Sequence, residues 1–528
     1  MRFGLLDHGG MKSAWALLEA SAVVCAFAGL GGLLFLHGVM MTTNAPMEMR
    51  DGAMLSGVLA LMDGRNPYAL SGLMETGNVY GIGYPLIVLP FAWLFGASFS
   101  TLHFVSGLAM AGASVLVYGW LCGAGVRRLD AALGAGLVYA GLIYYTGAVA
   151  RPDGVGTFLM LASVEVMRRG DLRPRAFAWG TALAMAGLSC KLYYVWPAFA
   201  AATYVFFWRD WRRGLAYGLT AVGATAASLA AMAVLLPGYV AFVLVANLGA
   251  TEYVASYLLK QSFDWLIFDL PLAAALIVLL ARRGWGREGF SLRRDPGFLN
   301  AMAGLGAIAI VGKLGGHPGA HLSYIFQLLS PFAAVWILSL AARDRPALYA
   351  FRVALPVMIA LNAHWFPLDP DRFRTAAQDF ANARALIDNS RQVLATTEFA
   401  GLLALEGKPL VETGHAAYLE NALDRATPDW LKPWLSPAAA LDREWRRVYC
   451  GARAKVDAAA YDVAIIGALP TVLIPINRLR RDYHVTRRFT IDMPWSLQSW
   501  PVEVWRARDP APVAAPRGDP CEPIPAPV

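Results

Sequence analysis

The sequence predicts an all-α polytopic membrane protein of about eleven transmembrane helices, with a small α/β extracytoplasmic domain at its C-terminal end. Three observations carry this reading. Of 528 residues, 57% are hydrophobic and only 16% charged, with a mean hydropathy of +0.47, which is not the composition of a soluble chain. Apolar runs near the length of a bilayer crossing recur along the chain. Between them Arg and Lys cluster at Arg127-Arg128, Arg168 to Arg175, Arg209 to Arg213, Arg282 to Arg294 and Arg343 to Arg345, as the positive-inside rule places cytoplasmic loops. The formal net charge of +8 is therefore a topology signal, and nucleic acid is not an expected partner. Cytosolic enzymes and compact nucleic-acid modules are excluded with it.

Arg2 and Lys12 precede an apolar stretch from about Ala14 to Met40, read as an uncleaved first span that starts in the cytoplasm. Residues 41–83 then form the first external loop. The run from Tyr84 to Gly96 is short and holds Pro85 and Pro90. If it crossed the bilayer, Arg127-Arg128 would emerge on the wrong side, so it is predicted to be re-entrant or interfacial. Spans near 98–125, 131–149, 154–167, 176–190, 193–208, 214–236, 265–281, 298–315, 322–341 and 349–366 alternate in direction and complete a transmembrane domain of residues 1–366.

Composition changes over residues 367–506. Helix-like stretches near 373–389, 398–406 and 437–449, with strands at Val393 to Ala395, Pro409 to Val411, Asp462 to Ile466 and Val502 to Trp505, predict an external α/β domain. The Pro-rich tail, 507–528, is predicted to be disordered. The five cysteines include no CxxC pair, so a zinc or redox site is unsupported. Cys450 and Cys521 both fall in the polar part, where an oxidising compartment permits a disulfide.

This topology gathers the unusual polar residues on the external side: Glu48, Arg50 and Asp51, then Arg151 and Asp153, Lys191, Glu252 and Lys260, and finally Lys313, His317 and His321, with Tyr324 beyond. Ionisable groups at a membrane edge are costly and mark candidate sites. Each also has an ordinary reading. Asp51 suits the dipole at the start of a loop helix, an amphipathic one with Ala53, Leu55, Val58, Leu59, Leu61 and Met62 among its apolar members, which forms a pocket floor at the bilayer surface. Glu48 can pair with Arg50. Arg151-Pro152-Asp153 is ordinary helix-start chemistry, and Lys191 can snorkel beside Tyr193, Tyr194 and Trp196. His317 and His321 would share a helical face suited to a metal, but Gly315, Gly316, Pro318 and Gly319 favour a loop. No GxxxxGK[ST] order surrounds Lys313, so ATP is not expected.

The acidic loop Glu48-Met-Arg-Asp51, the turn Gly64-Arg-Asn-Pro-Tyr68, the helix start Tyr84-Pro85-Leu86, Arg151-Pro-Asp153, Lys191, the run Lys313-Leu-Gly-Gly-His-Pro-Gly-Ala-His-Leu-Ser-Tyr324 and the external C-terminal domain occur in one order and on one side. Together they resemble the GT-C superfamily of polytopic glycosyltransferases, particularly the bacterial branch related to lipid A aminoarabinose transferases and protein mannosyltransferases. The resemblance implies an enzyme of the bacterial inner membrane, its N-terminus cytoplasmic and its C-terminal domain periplasmic. Such an enzyme moves a sugar from a polyprenyl-phosphate donor to an envelope glycan, lipid or protein acceptor. It also implies a first-loop carboxylate as base, with Asp51 preferred and Glu48 beside it. Donor phosphate and substrate would be held by Arg151, Asp153, Lys191, Lys313, His317, His321 and Tyr324. The adjacent Asp-Glu pair of the mannosyltransferases is missing here, so no cofactor is assigned and a divalent metal stays open. Two other classes compete: a transporter or lipid flippase, and a non-catalytic envelope assembly protein. Against the transporter, no pair of broken helices stands in corresponding halves of the sequence.

Overall fold

The computed structural model describes residues 8–48, 50–69, 80–146, 149–239, 254–283, 297–311, 323–363, 369–396, 399–410, 450–467, 476–493 and 498–508. Three helices in it are long and apolar enough to cross a membrane: α1 (His8–Thr42) from Trp15 onward, the helix Phe99–Gly123 and the helix Trp211–Leu235. A bent pair, Ala255–Phe268 and Leu270–Arg283, makes a fourth crossing if counted as one. Large apolar side chains such as Phe35, Trp93, Phe95, Phe207, Leu219 and Val234 stand on the outer surface, as lipid contact requires. The chain is thus a mostly helical membrane protein with a small sheet.

In chain order the membrane part continues from α1 through α2 (Asp51–Met62), α3 (Gly83–Phe95), α4 (Phe99–Gly123), α5 (Arg128–Thr146), α6 (Pro152–Arg169), α7 (Pro174–Cys190), α8 (Trp196–Trp208), α9 (Trp211–Leu235), α10 (Ala255–Phe268), α11 (Leu270–Arg283), α12 (Phe298–Ala309), α13 (Ser323–Leu328), α14 (Ser330–Ala341) and α15 (Arg345–Asn362). Helices thus occupy every interval where the sequence expects a span, but most are shorter, less apolar or more charged than a lone span. Eleven crossings do not follow from their length and composition alone.

Two expected spans are broken. The helix expected over 265–281 is replaced by α10 and α11, which meet at 87°. Pro271 has no N–H to continue the ladder, and the Asp269 carbonyl instead accepts from Leu272 N and Ala273 N. The span expected at 322–341 breaks at Leu329, two residues before Pro331. Helix α3 has thirteen residues, about 20 Å against a hydrocarbon core of about 30 Å, but α8, α12 and α14 are no longer, so length does not separate it from the expected spans.

Helix α2 differs from its amphipathic expectation, being buried from Asp51 to Val58 and again at Ala60. The cover comes from the C-terminal part. Ser56 Oγ donates to the carbonyl of Ala400, 3.1 Å away and 344 residues later. Gly401 approaches so closely that a Cβ there would stand 3.0 Å from Gly52 Cα and 2.9 Å from Phe99 Cζ.

The C-terminal part comprises α16 (Pro370–Asp388), β1 (Val393–Ala395), α17 (Ala400–Leu405), β2 (Val463–Ile466), α18 (Ile476–Asp482), β3 (Tyr483–Met493) and β4 (Gln498–Ala507), with a further helical turn run at 450–457. The sheet runs β1-β2-β4-β3, with β1 parallel to β2 and the other pairs antiparallel. Helix α16 buries Phe373, Ala376, Phe380, Ala383 and Ile387, the stripe that a 3.6-residue period dictates. Strand β3 is absent from the sequence reading because a bulge between Val485 and Arg487 breaks its alternation. Pro409 and Leu410 are irregular rather than strand, and Ala507, assigned to the tail, ends β4. Residues 411, 437–449 and 509–528 lie outside the described residues. Cys25, Cys122 and Cys190 are free, whereas Cys450 is disulfide-bonded; Cys521 lies outside the described residues.

Candidate active site

Asp51 opens α2 and is completely buried. Its Oδ2 accepts from Met47 N at 2.8 Å and meets His103 Nε2 at 3.0 Å, while Oδ1 accepts from Ala150 N at 3.0 Å. One carboxylate therefore ties the first loop, α4 and the segment before α6 together. Glu48 sits one turn earlier and is open to solvent on one side, its side chain 13% exposed. Its Oε1 accepts from Arg50 N at 3.2 Å, and its Oε2 pairs with Arg151 Nη2.

Three cations converge on the buried ring of Tyr80. Arg50 Nη1 donates to its hydroxyl at 2.7 Å, with the guanidinium carbon 5.8 Å from the ring centre. Lys191 Nζ stands 4.8 Å from the same centre, and Arg151 is the third. Burial alone would push the Tyr80 phenol up, but Arg151, Arg50 and Lys191 outweigh it and hold the phenol below its ordinary range. Among the described residues Glu48 and Asp153 stand against these cations, which leaves positive charge in excess there. Among the described residues Arg151 Nε is buried without a hydrogen-bond partner, a costly state that an acceptor in the pocket would relieve.

Backbone packing fixes Tyr80. Its carbonyl accepts from Tyr68 OH at 2.7 Å, and Asn66 of the Gly64-to-Tyr68 turn donates to the Leu235 carbonyl at the end of α9 at 2.8 Å. Gly81 N donates to the Cys190 carbonyl at 3.1 Å. A Cβ on Gly81 would fall 1.8 Å from the Ser189 carbonyl oxygen. Only glycine lets the loop lie against the end of α7, next to Lys191.

Asp153, in the first turn of α6, is 2% exposed and accepts both bonds of Lys191 Nζ, at 2.7 and 2.9 Å. Gln327 Nε2 adds a third at 3.1 Å and Tyr193 OH a fourth at 3.3 Å. Tyr194 OH donates to Gln327 Oε1 at 2.7 Å. Tyr324 stacks edge-on to Tyr193, with ring centres 5.1 Å apart. Aromatic hydroxyls and amide thus wall the cationic pocket on the side of α13.

The structure brings together Glu48, Asp51, Arg151, Asp153, Lys191 and Tyr324, all singled out in the sequence. Lys313, His317 and His321 lie outside the described residues, as does Glu252; Lys260 is in α10. Sequence reasoning missed Tyr80, His103 and Gln327. A lone His in the 98–125 run and a lone Gln in the 322–341 run were the available signals, as was the Gly81-Ile-Gly83 spacing after Tyr80. Among the described residues no three His, Cys, Asp or Glu side chains form a metal-binding group, and Asp51 accepts N–H donors on both oxygens.

No protein-family model and no curated protein matches the chain. Two solved structures share its fold along nearly its whole length. They are ArnT from Cupriavidus metallidurans in the apo state, at 15% identity, and the same protein bound to undecaprenyl phosphate, at 16%. Each alignment covers 94% of this chain and 98% of the other, with a TM-score of 0.50. The likeness is one of fold alone.

Proposed function

We propose that the chain is a membrane glycosyltransferase that moves a sugar from a polyprenyl-phosphate donor to an acceptor on the external face of the bacterial inner membrane. The observation that carries this is the Tyr80 pocket, where among the described residues Arg50, Arg151 and Lys191 outnumber the facing carboxylates and Arg151 Nε has no partner. A phosphodiester bears one negative charge and several acceptor oxygens, which answer both features. The undecaprenyl phosphate bound to the ArnT of the same fold supports a polyprenyl lipid in that role. The disulfide at Cys450 supports placing the C-terminal domain in an oxidising compartment, hence the periplasm, with the N-terminus in the cytoplasm.

Transfer is a single displacement that inverts the anomeric centre. The bond from the anomeric carbon to the phosphate oxygen breaks, and its electron pair leaves with the phosphate. The three cations meet more charge in that transition state than in the bound donor, which lowers the barrier. The acceptor hydroxyl forms the new bond and loses its proton to a first-loop carboxylate. Glu48 is the better placed of the two for that step, because Asp51 has no exposed face and both its oxygens accept N–H donors. Donor phosphate engaging Arg151 frees Glu48 from its ion pair, so the base is released when the donor arrives. Asp51 is then a positioning residue.

The test is transfer from a radiolabelled polyprenyl-phosphate sugar pool in membranes holding matched amounts of each variant, with donor binding measured separately. Glu48→Gln should lower turnover about 10²-fold or more while donor still binds. Asp51→Asn should lower the thermal midpoint as well, since its amide turns a donor toward an N–H that the carboxylate accepted. Unchanged transfer by Glu48→Gln moves the base to Asp51. No transfer by the wild type from any polyprenyl-phosphate sugar would end the reading.

A further inference from the structure

The C-terminal part carries a second basic site that shares no residue with the Tyr80 pocket. Arg391, Arg487 and Arg506 line one cleft of about 620 Å³ together with Asn382, Asn389 and Asp462. Arg391 precedes β1, Arg487 follows the bulge of β3, and Arg506 lies on β4 opposite His484. Two strands and the turn between α16 and β1 thus deliver guanidinium groups to one concavity.

The charges there are only partly compensated, three guanidinium groups facing one carboxylate, in contrast with the surrounding surface. Elsewhere in this part arginines pair with carboxylates: Arg374 with Asp371 at 2.9 Å, Arg384 with Glu406 at 2.5 Å, Arg481 with Asp457 at 3.2 Å and Arg488 with Glu503 at 2.9 Å. Among the described residues none of the three cleft arginines has such a partner; Arg487 meets only the Phe489 ring, at 5.4 Å. Asp462, the one carboxylate in the cleft, already accepts from Arg391 N at 2.7 Å and Gln392 N at 2.9 Å through Oδ2. The last carbonyls of α16 are also occupied, by Asn389 and Ser390, so the helix end offers little counter-charge.

Polarity narrows the ligand. Among the residues that line the cleft Leu386 is the one large apolar side chain, and it is half-buried, so the cleft presents mainly polar groups. Guanidinium forks suit carboxylate or phosphate oxygens, and the side-chain amides of Asn382 and Asn389 suit hydroxyls. We infer that this cleft binds an acidic oligosaccharide, a glycan bearing carboxylate or phosphate groups. Its role as the docking point of the acceptor rests on the transferase reading; its glycan binding does not.

The experiment titrates the full-length, disulfide-intact protein in nanodiscs of zwitterionic lipid with an oligogalacturonate, a phosphorylated mannopentaose and neutral maltopentaose, by calorimetry. The acidic sugars should bind, more weakly as salt rises, and the neutral one should not. Arg391→Gln/Arg487→Gln/Arg506→Gln should weaken binding about tenfold or more, with an unchanged thermal midpoint; each single change should weaken it a few-fold. Equal binding by wild type and the triple variant, or equal binding of neutral and acidic sugars, overturns the proposal. Retention only by nanodiscs containing anionic lipid also overturns it, since the basic face then belongs to the membrane. Release of polyprenyl phosphate from the donor, followed in the same samples, separates the two claims. Acidic-sugar binding without donor cleavage removes the transferase and keeps the cleft, whereas donor cleavage without acidic-sugar binding removes the cleft alone.

Discussion

Lys191 satisfies both oxygens of Asp153 through one ammonium, in a site where the lysine is 17% and the aspartate 2% exposed. Removing one member of such a buried pair strands the other, at a cost of about 3–5 kcal/mol. Lys191→Met should therefore lower the thermal midpoint strongly. Lys191→Met/Asp153→Asn should recover most of it, because the amide still bonds Tyr193 and Gln327. Donor binding and transfer should stay lost in both variants, since the phosphate partner is gone. Recovery of transfer by the double variant would reduce Lys191 to a structural residue, and an unchanged midpoint in Lys191→Met would deny the ion pair. At this scale the charged members were legible in the sequence, since ionisable groups at the ends of apolar runs stand out. Tyr80, His103 and Gln327 were not. They carry no fixed charge, and their roles arise only from partners 30, 52 and 174 residues away.

Between elements, the seam where the first loop meets the end of α7 sets the pocket. Gly81→Ala would drive a methyl group into the Ser189 carbonyl, and relief requires moving the loop that holds Tyr80. Overpacking of this kind costs about 1–3 kcal/mol, and donor affinity should fall with it. Gly38→Ala in α1 is the control, because nothing lies within 4 Å of a Cβ there; it should leave binding intact and the midpoint level or slightly raised. Equal behaviour of the two variants would show that the seam does not position Tyr80. The intervals of the helices followed from apolar runs and basic clusters, which are local signals. The burial of α2 did not, because it depends on a packing partner 344 residues away, whereas the turn at Asp269 carried a local signal in Pro271.

For the molecule as a whole, sidedness is the property most open to direct measurement. With Cys25, Cys122 and Cys190 changed to Ala, a membrane-impermeant maleimide should label Cys450 in intact spheroplasts after mild reduction, and should fail to do so without it. Labelling only in opened membranes would reverse the orientation and place the Tyr80 pocket on the cytoplasmic side. The contact of α17 with α2 reaches further, into the order in which the protein is made. The floor of the pocket emerges from the ribosome first, yet the residue that receives the Ser56 hydroxyl follows 344 residues later. At about 5–20 residues per second, the nascent chain spends tens of seconds in the membrane with α2 uncovered, and every truncated product shares that state. Completion of the packing around α2 therefore waits on synthesis of the chain's final quarter.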